Sequence, residues 1–164
     1  MRIAARAALI VFALDQISKV AVVWGLDLYR REEIEVLPPL LNFRMAWNQG
    51  INFGLLSDDT EIMRWALIAV ALAVSAWVWI WVKREKTGRL MQVLAGILIG
   101  GALGNVVDRI MYGAVADFLN MSCCGIENPF AFNVADVAIF VGAIGLVLFA
   151  GNDRPASPRR TKTP

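Results

Sequence analysis

The sequence predicts an all-α membrane protein, with four transmembrane helices carrying a small β-rich platform on the outer side of the bilayer. Three observations predict it. The 164 residues are 58% hydrophobic and 18% charged, where a soluble domain is about half apolar and about a quarter charged. The mean hydropathy is +0.58. Four apolar segments, at about residues 3–26, 62–82, 90–111 and 134–150, approach the roughly 20 residues that a bilayer crossing needs.

The first segment follows Arg2 and Arg6, so a cleavable signal peptide is the competing reading. It lacks a small-x-small cleavage site in the right place, and Asp15 and Lys19 interrupt its apolar core, so it reads as a retained helix. Lys83, Arg84, Lys86 and Arg89 fill the connection between the second and third segments, and Arg154, Arg159, Arg160 and Lys162 lie beyond the fourth. In the loop over residues 27–61, Arg30, Arg31 and Arg44 are outnumbered by acids, and the loop over 112–133 has no Lys or Arg. The positive-inside rule therefore puts both termini in the cytoplasm and the two long loops outside. Trp24 near an outer end, and Trp77, Trp79 and Trp81 near an inner end, suit the interfacial aromatic belts, with plain lipid-facing bulk as the alternative.

The first outward loop holds short β-prone runs, Ile34–Leu37 and Leu41–Met45, broken by Pro38-Pro39, Gly50 and Gly54. These runs predict the platform. Residues 1–151 read as one unit, and 152–164 as a disordered, basic cytoplasmic tail. No internal repeat is visible.

Polar residues gather at one depth. Asn105, Asp108 and Arg109 lie near the outer end of the third segment, and Asn133 and Asp136 open the fourth. Asp15 and Lys19, four apart, share a face on the outer half of the first. Asp117 falls in the loop between the third and fourth segments. Each has a plain structural reading: Asn133 and Asp136 as a cap with an acid in the first turn, and Asp15 with Lys19 as a neutralised intramembrane pair. Asp108, an acid near a helix C-terminus, needs a partner, and Arg109 or Lys19 could serve. Gly96, Gly100 and Gly104 recur every four residues, as in a close helix seam, and Asp108 continues that stripe.

The chain has no histidine. That removes Ser-His and Cys-His catalysis and His-bearing zinc sites, and no metal or cofactor is expected. Cys123 and Cys124 are adjacent, too close at Cα for ordinary disulfide geometry, and read as an unbridged, tolerated pair. What remains is paired carboxylates. Two that share one proton can act as base toward water and as acid toward a leaving amine. Asp117 and Asp136 are the pair best placed for this; the dipole at the start of the fourth segment favours an ionised Asp136 and so the proton on Asp117, while the proton belongs to the pair. A small ion-coupled transporter would instead carry polar groups near the midplane with access from both sides. A structural scaffold would leave the outer aspartates unexplained.

The ordered set "DQISK", "NQGINFG", "GGALGNVVDR", "VADF" and "FNVADVAIFVG" resembles the lipoprotein signal peptidase family, also called signal peptidase II, from Asp15 to Gly142. The resemblance implies a four-helix bacterial inner-membrane aspartic peptidase with a periplasmic β-cradle. Such an enzyme cuts prolipoproteins just before a diacylglyceryl-modified cysteine. It implies Asp117 and Asp136 as the catalytic dyad. Asp15, Lys19, Asn48, Gly50, Gly104, Asn105, Asp108, Arg109, Asn133 and Ala135 then bind substrate or support the site. The implied partners are the lipidated prolipoprotein and membrane lipids, without nucleic acid, and the implied state is a monomer. Ile51 and Asn52 depart from the small residues common in the family at those positions, and Cys123 and Cys124 match no family motif.

Overall fold

The structure is a computed structural model, and it describes residues 1–50, 60–125 and 128–150. The departures at Ile51 and Asn52, and the tail expected over 152–164, lie outside the described residues.

Among the described residues, three helices are long and apolar enough to cross a membrane: Arg2–Gly25, Glu61–Arg84 and Arg89–Tyr112. The first is α1, Arg2–Lys19, continued by a π-helical stretch, Val20–Gly25. There the ladder widens, and the Leu26 amide donates to the Ala21 carbonyl five residues back. A short α2, Leu28–Arg31, leads into strands β1, Glu33–Leu37, and β2, Leu41–Asn48. Then come α3, Thr60–Arg84, and α4, Arg89–Tyr112. Strand β3, Val115–Asn120, precedes α5, Val134–Phe149, a shorter apolar helix.

Helix α4 is the inner one. Of its most apolar 18-residue stretch 67% is buried in protein, against 17% for α1 and 22% for α3. The glycine stripe explains how α1 comes so close: a Cβ on Gly96 would strike the Ala4 carbonyl, and one on Gly100 the Ala8 carbonyl. Small residues at such a seam let backbones meet without an apolar driving force between them. On the other side Gly101 faces Ala135 and Ala138 of α5. The faces turned away from α4 carry large exposed apolar side chains, among them Leu9, Ile17, Phe140 and Val147, as lipid contact requires. Trp77 is exposed and stacks on Trp81, whereas Trp79 and Trp81 also pack against the core.

The sheet is antiparallel in the order β1-β2-β3. It joins the C-terminal ends of α1 and α4 to the start of α5. Val23 and Leu28 pack with Ala116 and Phe118 beneath it, so the widened end of α1 forms its apolar seat. Both runs read as β-prone are strands, and β2 extends three residues past Met45. The expectation for residues 115–120 is corrected: they form β3, and Asp117 sits on a strand rather than in a loop. Its register, Ala46 opposite Asp117 and Asn48 opposite Val115, depends on a partner far away in sequence.

The expectation for the cysteines is also corrected. Cys123 and Cys124 form a disulfide, in a turn where Cys124 (φ 60°) and Gly125 (φ 81°) both take left-handed backbone. That reversal lets two adjacent side chains face one another.

Candidate active site

The start of α5 brings the polar residues together. Asn133 is the N-cap, and its side-chain oxygen accepts from the Asp136 amide at 2.9 Å. The Asp136 carboxylate returns the bond, accepting from the Asn133 amide at 3.2 Å. This is a capping box, which satisfies two orphan amides at once. The plain reading of the pair as a cap is therefore right. The cap also has a free hand, because the Asn133 amide nitrogen still has hydrogens to donate. It donates to Asp117 Oδ1 at 2.6 Å, and to Asn105 Oδ1 at 3.2 Å. One buried asparagine thus holds both Asp117, on β3, and Asp136, on α5.

Each carboxylate has a second amide. Asn48, at the end of β2, donates to Asp117 Oδ2 at 3.1 Å, while its own oxygen accepts from the Gly50 amide. Gly50 has φ 109°, which a side chain would strain. Asn105, on α4, donates to Asp136 Oδ1 at 2.8 Å. Asp117 is 2% exposed and Asp136 is half-buried. Burial, and then the neighbouring Asp136 carboxylate, push the Asp117 carboxyl up to about 7, against the opposing pull of Asn48, Asn133 and Lys19. Both leading causes disfavour charge on Asp117.

Behind the pair lies a buried ionic cluster. Lys19 Nζ lies 2.8 Å from both Asp15 Oδ2 and Asp108 Oδ2, so Lys19 is the partner that Asp108 needs. Asp15 Oδ1 accepts from the Ala135 amide at 2.9 Å, and Asp108 Oδ2 from the Ala116 amide at 3.1 Å. Gln16 donates to both carboxylates. Gly104 leaves the room: a Cβ there would meet Asp15 Oδ2 at 2.5 Å.

Arg109 donates to the Asn105 carbonyl at 3.4 Å, and its buried Nε has no partner among the described residues. It faces Asp136, Asp117 and Asp108 electrostatically. All the site residues expected from the sequence thus fall in or beside one assembly. Two participants escape a sequence reading. Gln16 is signalled only by its polarity inside an apolar span. Arg64 of α3 closes the end of α4 by donating to the Arg109 and Ile110 carbonyls at 2.7 and 3.0 Å, and nothing local marks it.

Asp117 lines an open cleft of about 530 Å³, with Trp47, Asn48 and Gln49 on one side and Pro129, Phe130 and Ala131 on the other. A second crevice, of about 360 Å³ and largely apolar, runs between α3, α4 and α5 and has Asn105 and Arg109 among its lining residues. An extended polar chain could occupy the first while apolar groups occupy the second. Among the described residues no cluster of His, Cys, Asp and Glu could hold a metal.

The family described as Signal peptidase (SPase) II matches residues 7–151. The chain belongs to this family. A lipoprotein signal peptidase from Methylorubrum extorquens is 40% identical over 152 residues, 93% of this chain and 87% of that protein. Another, from Rhodopseudomonas palustris, is 39% identical over 150 residues, 90% of each chain. A solved structure described as a bacterial membrane enzyme has the same fold, with a TM-score of 0.75 at 24% identity, covering 96% of this chain and 94% of that one. Membership of the signal peptidase II family makes the chain a membrane-embedded peptidase of lipoprotein maturation.

Proposed function

We propose that the chain is an aspartic endopeptidase that removes the signal peptide from diacylglyceryl-modified prolipoproteins, cutting just before the lipidated cysteine. The observation that carries this reading is Asn133, whose side-chain amide donates to Asp117 and whose backbone N–H donates to Asp136, beside an open cleft that Asp117 lines. Asp117, held up to about 7, keeps its proton through the acid and near-neutral range and donates it to the scissile carbonyl oxygen. Asp136 takes a proton from water, whose oxygen bonds to the carbonyl carbon. Collapse of the tetrahedral intermediate returns a proton to Asp117 and breaks the C–N bond. Asp136 then delivers its proton to the leaving amine of the lipidated cysteine, so the pair ends as it began.

In this reading the sheet faces the periplasm and both termini face the cytoplasm, following the loop charges. Helix α5 makes the fourth crossing. Its 16 residues span about 24 Å at 1.5 Å per residue, short of the roughly 30 Å hydrocarbon core. Its start, and the aspartate pair with it, would then lie slightly below the outer surface, at the depth of a lipid-anchored cysteine. The apolar crevice would accept part of the lipidated precursor. Residues 1–151 act as one unit and as a monomer.

Replacing either aspartate tests the chemistry, and a reporter tests the orientation. A fusion after Glu85 should report the cytoplasm; a periplasmic signal there would put the carboxylates on the wrong side.

A further inference from the structure

We propose that Lys19 is a positioning residue for the aspartate pair, setting the place of both carboxylates through three intermediaries while touching neither. The proposal rests on Asp117 and Asp136 being the reacting pair.

An ammonium has three hydrogens and no acceptor, and Lys19 has three oxygens around it. The first is Asp15 Oδ2, at 2.8 Å. The other oxygen of Asp15 grips the amide of Ala135, the residue directly before Asp136. The second is Asp108 Oδ2, at 2.8 Å, which also grips the amide of Ala116, the residue directly before Asp117. The third is Asn105 Oδ1, at 3.4 Å. A lysine can only donate, so Asn105 must turn its oxygen toward Lys19 and its NH₂ toward Asp136, as observed. One cation therefore fixes the backbone ahead of each aspartate and the amide orientation beside one of them.

Neutralising two buried acids requires only a cation nearby. It does not require those acids to hold the two peptide N–H groups that precede the reacting residues, nor a third bond to the amide that serves Asp136. The charges acting on Asp117 are Asp136 of α5 and Lys19 of α1, with Arg109 of α4 also in its field; the neighbouring strand β2 supplies the neutral Asn48. Lys19 is the cation that opposes the rise of the Asp117 carboxyl. Its removal should therefore extend the protonated form of Asp117 to higher pH. A merely structural lysine would leave the pH profile in place.

The test uses full-length protein reconstituted in lipid, with a diacylglyceryl-modified prolipoprotein as substrate and rates normalised to folded enzyme by thermal melting. Asp117→Asn runs alongside. If that variant cut at the wild-type rate, the aspartate-pair reading would fail independently of Lys19. With Asp117→Asn inactive, Lys19→Arg keeps the charge but replaces a tetrahedral head with a planar fork. A 1 Å misplacement costs up to about 100-fold, so Lys19→Arg should lose about tenfold or more in kcat with KM within about twofold and the alkaline limb unmoved. Lys19→Met should lose at least as much kcat and shift the alkaline limb upward. Should Lys19→Met not fold, Lys19→Met/Asp15→Asn takes its place and carries the same expectation for kcat; it keeps the net charge of the cluster and an oxygen for the Ala135 amide. Wild-type kcat per folded enzyme in any Lys19 variant would overturn the proposal, as would a slowed Lys19→Met whose alkaline limb coincides with that of the wild type.

Discussion

Replacing Asn133 with serine separates the cap of α5 from the bridge between the aspartates. A serine hydroxyl can still accept from the Asp136 amide as an N-cap, so helix stability should fall little; alanine, which cannot cap, should cost about 1 kcal/mol more. Both variants lose the amide that donates to Asp117 at 2.6 Å and to Asn105 at 3.2 Å. In the active form Asp117 is protonated, and a hydrogen bond between neutral groups contributes about 0.5–1.5 kcal/mol, which corresponds to a loss of about 2- to 12-fold in kcat at about 1.4 kcal/mol per tenfold. The bond to Asp117 favours its ionised form, and it opposes the rise to about 7. Without it the carboxyl rises further, so the protonated, active form persists to higher pH and the alkaline limb of cleavage moves up. The assay is gel-shift cleavage of a lipidated prolipoprotein from acid to alkaline pH, with melting temperatures measured in parallel. Equal kcat for Asn133→Ser and the wild type, at equal folding, would refute the bridging role. An alkaline limb moving down would refute the sign.

Stability should carry the same signature. Because the folded-state carboxyl of Asp117 lies above its ordinary 3.8, at about 7, its contribution is fully present below about pH 4 and is lost as pH rises through about 7, at about 1.4 kcal/mol per unit. Asp117→Asn should accordingly melt above the wild type at pH 8.5 and lose that advantage as pH falls to about 4; an advantage independent of pH would contradict the assignment. Gly104→Ala should push a methyl into the Asp15 carboxylate and cost about 1–3 kcal/mol as overpacking, together with most of the activity. A Gly104→Ala protein with wild-type melting and turnover would show that Asp15 has room to move.

The parts of this fold legible in the sequence are those fixed by local pattern. Apolar length marks the helices, the four-residue glycine spacing marks the α1–α4 seam, and Asn133 with Asp136 spells a capping box. The gathering of the polar residues was legible too, because helix rise converts sequence position into height along each helix. What escaped depends on distant partners. The strand over Val115–Asn120 exists because β2, some seventy residues earlier, lies beside it, and a short run beginning with Val-Ala-Asp carries no strand signal alone. Arg64 reaches the end of α4 across a helix interface, which no spacing announces. The Cys123–Cys124 bridge depends on left-handed backbone at Cys124, and cysteine is not a residue that advertises such a turn. Lys19 was readable as a partner for acids, but its third bond, to Asn105, belongs to the packed helices.

The central claim is that Asp117 and Asp136 share the chemistry, and the most direct measurement is single-turnover cleavage of a diacylglyceryl-modified prolipoprotein by the wild type, Asp117→Asn and Asp136→Asn across pH. The wild type should give a bell-shaped profile whose alkaline limb falls near 7, because cleavage needs the proton on Asp117, and both variants should insert and bind substrate but not cut. Cleavage near the wild-type rate by either variant, or a wild-type profile that stays flat from acid to alkaline pH, would contradict the account.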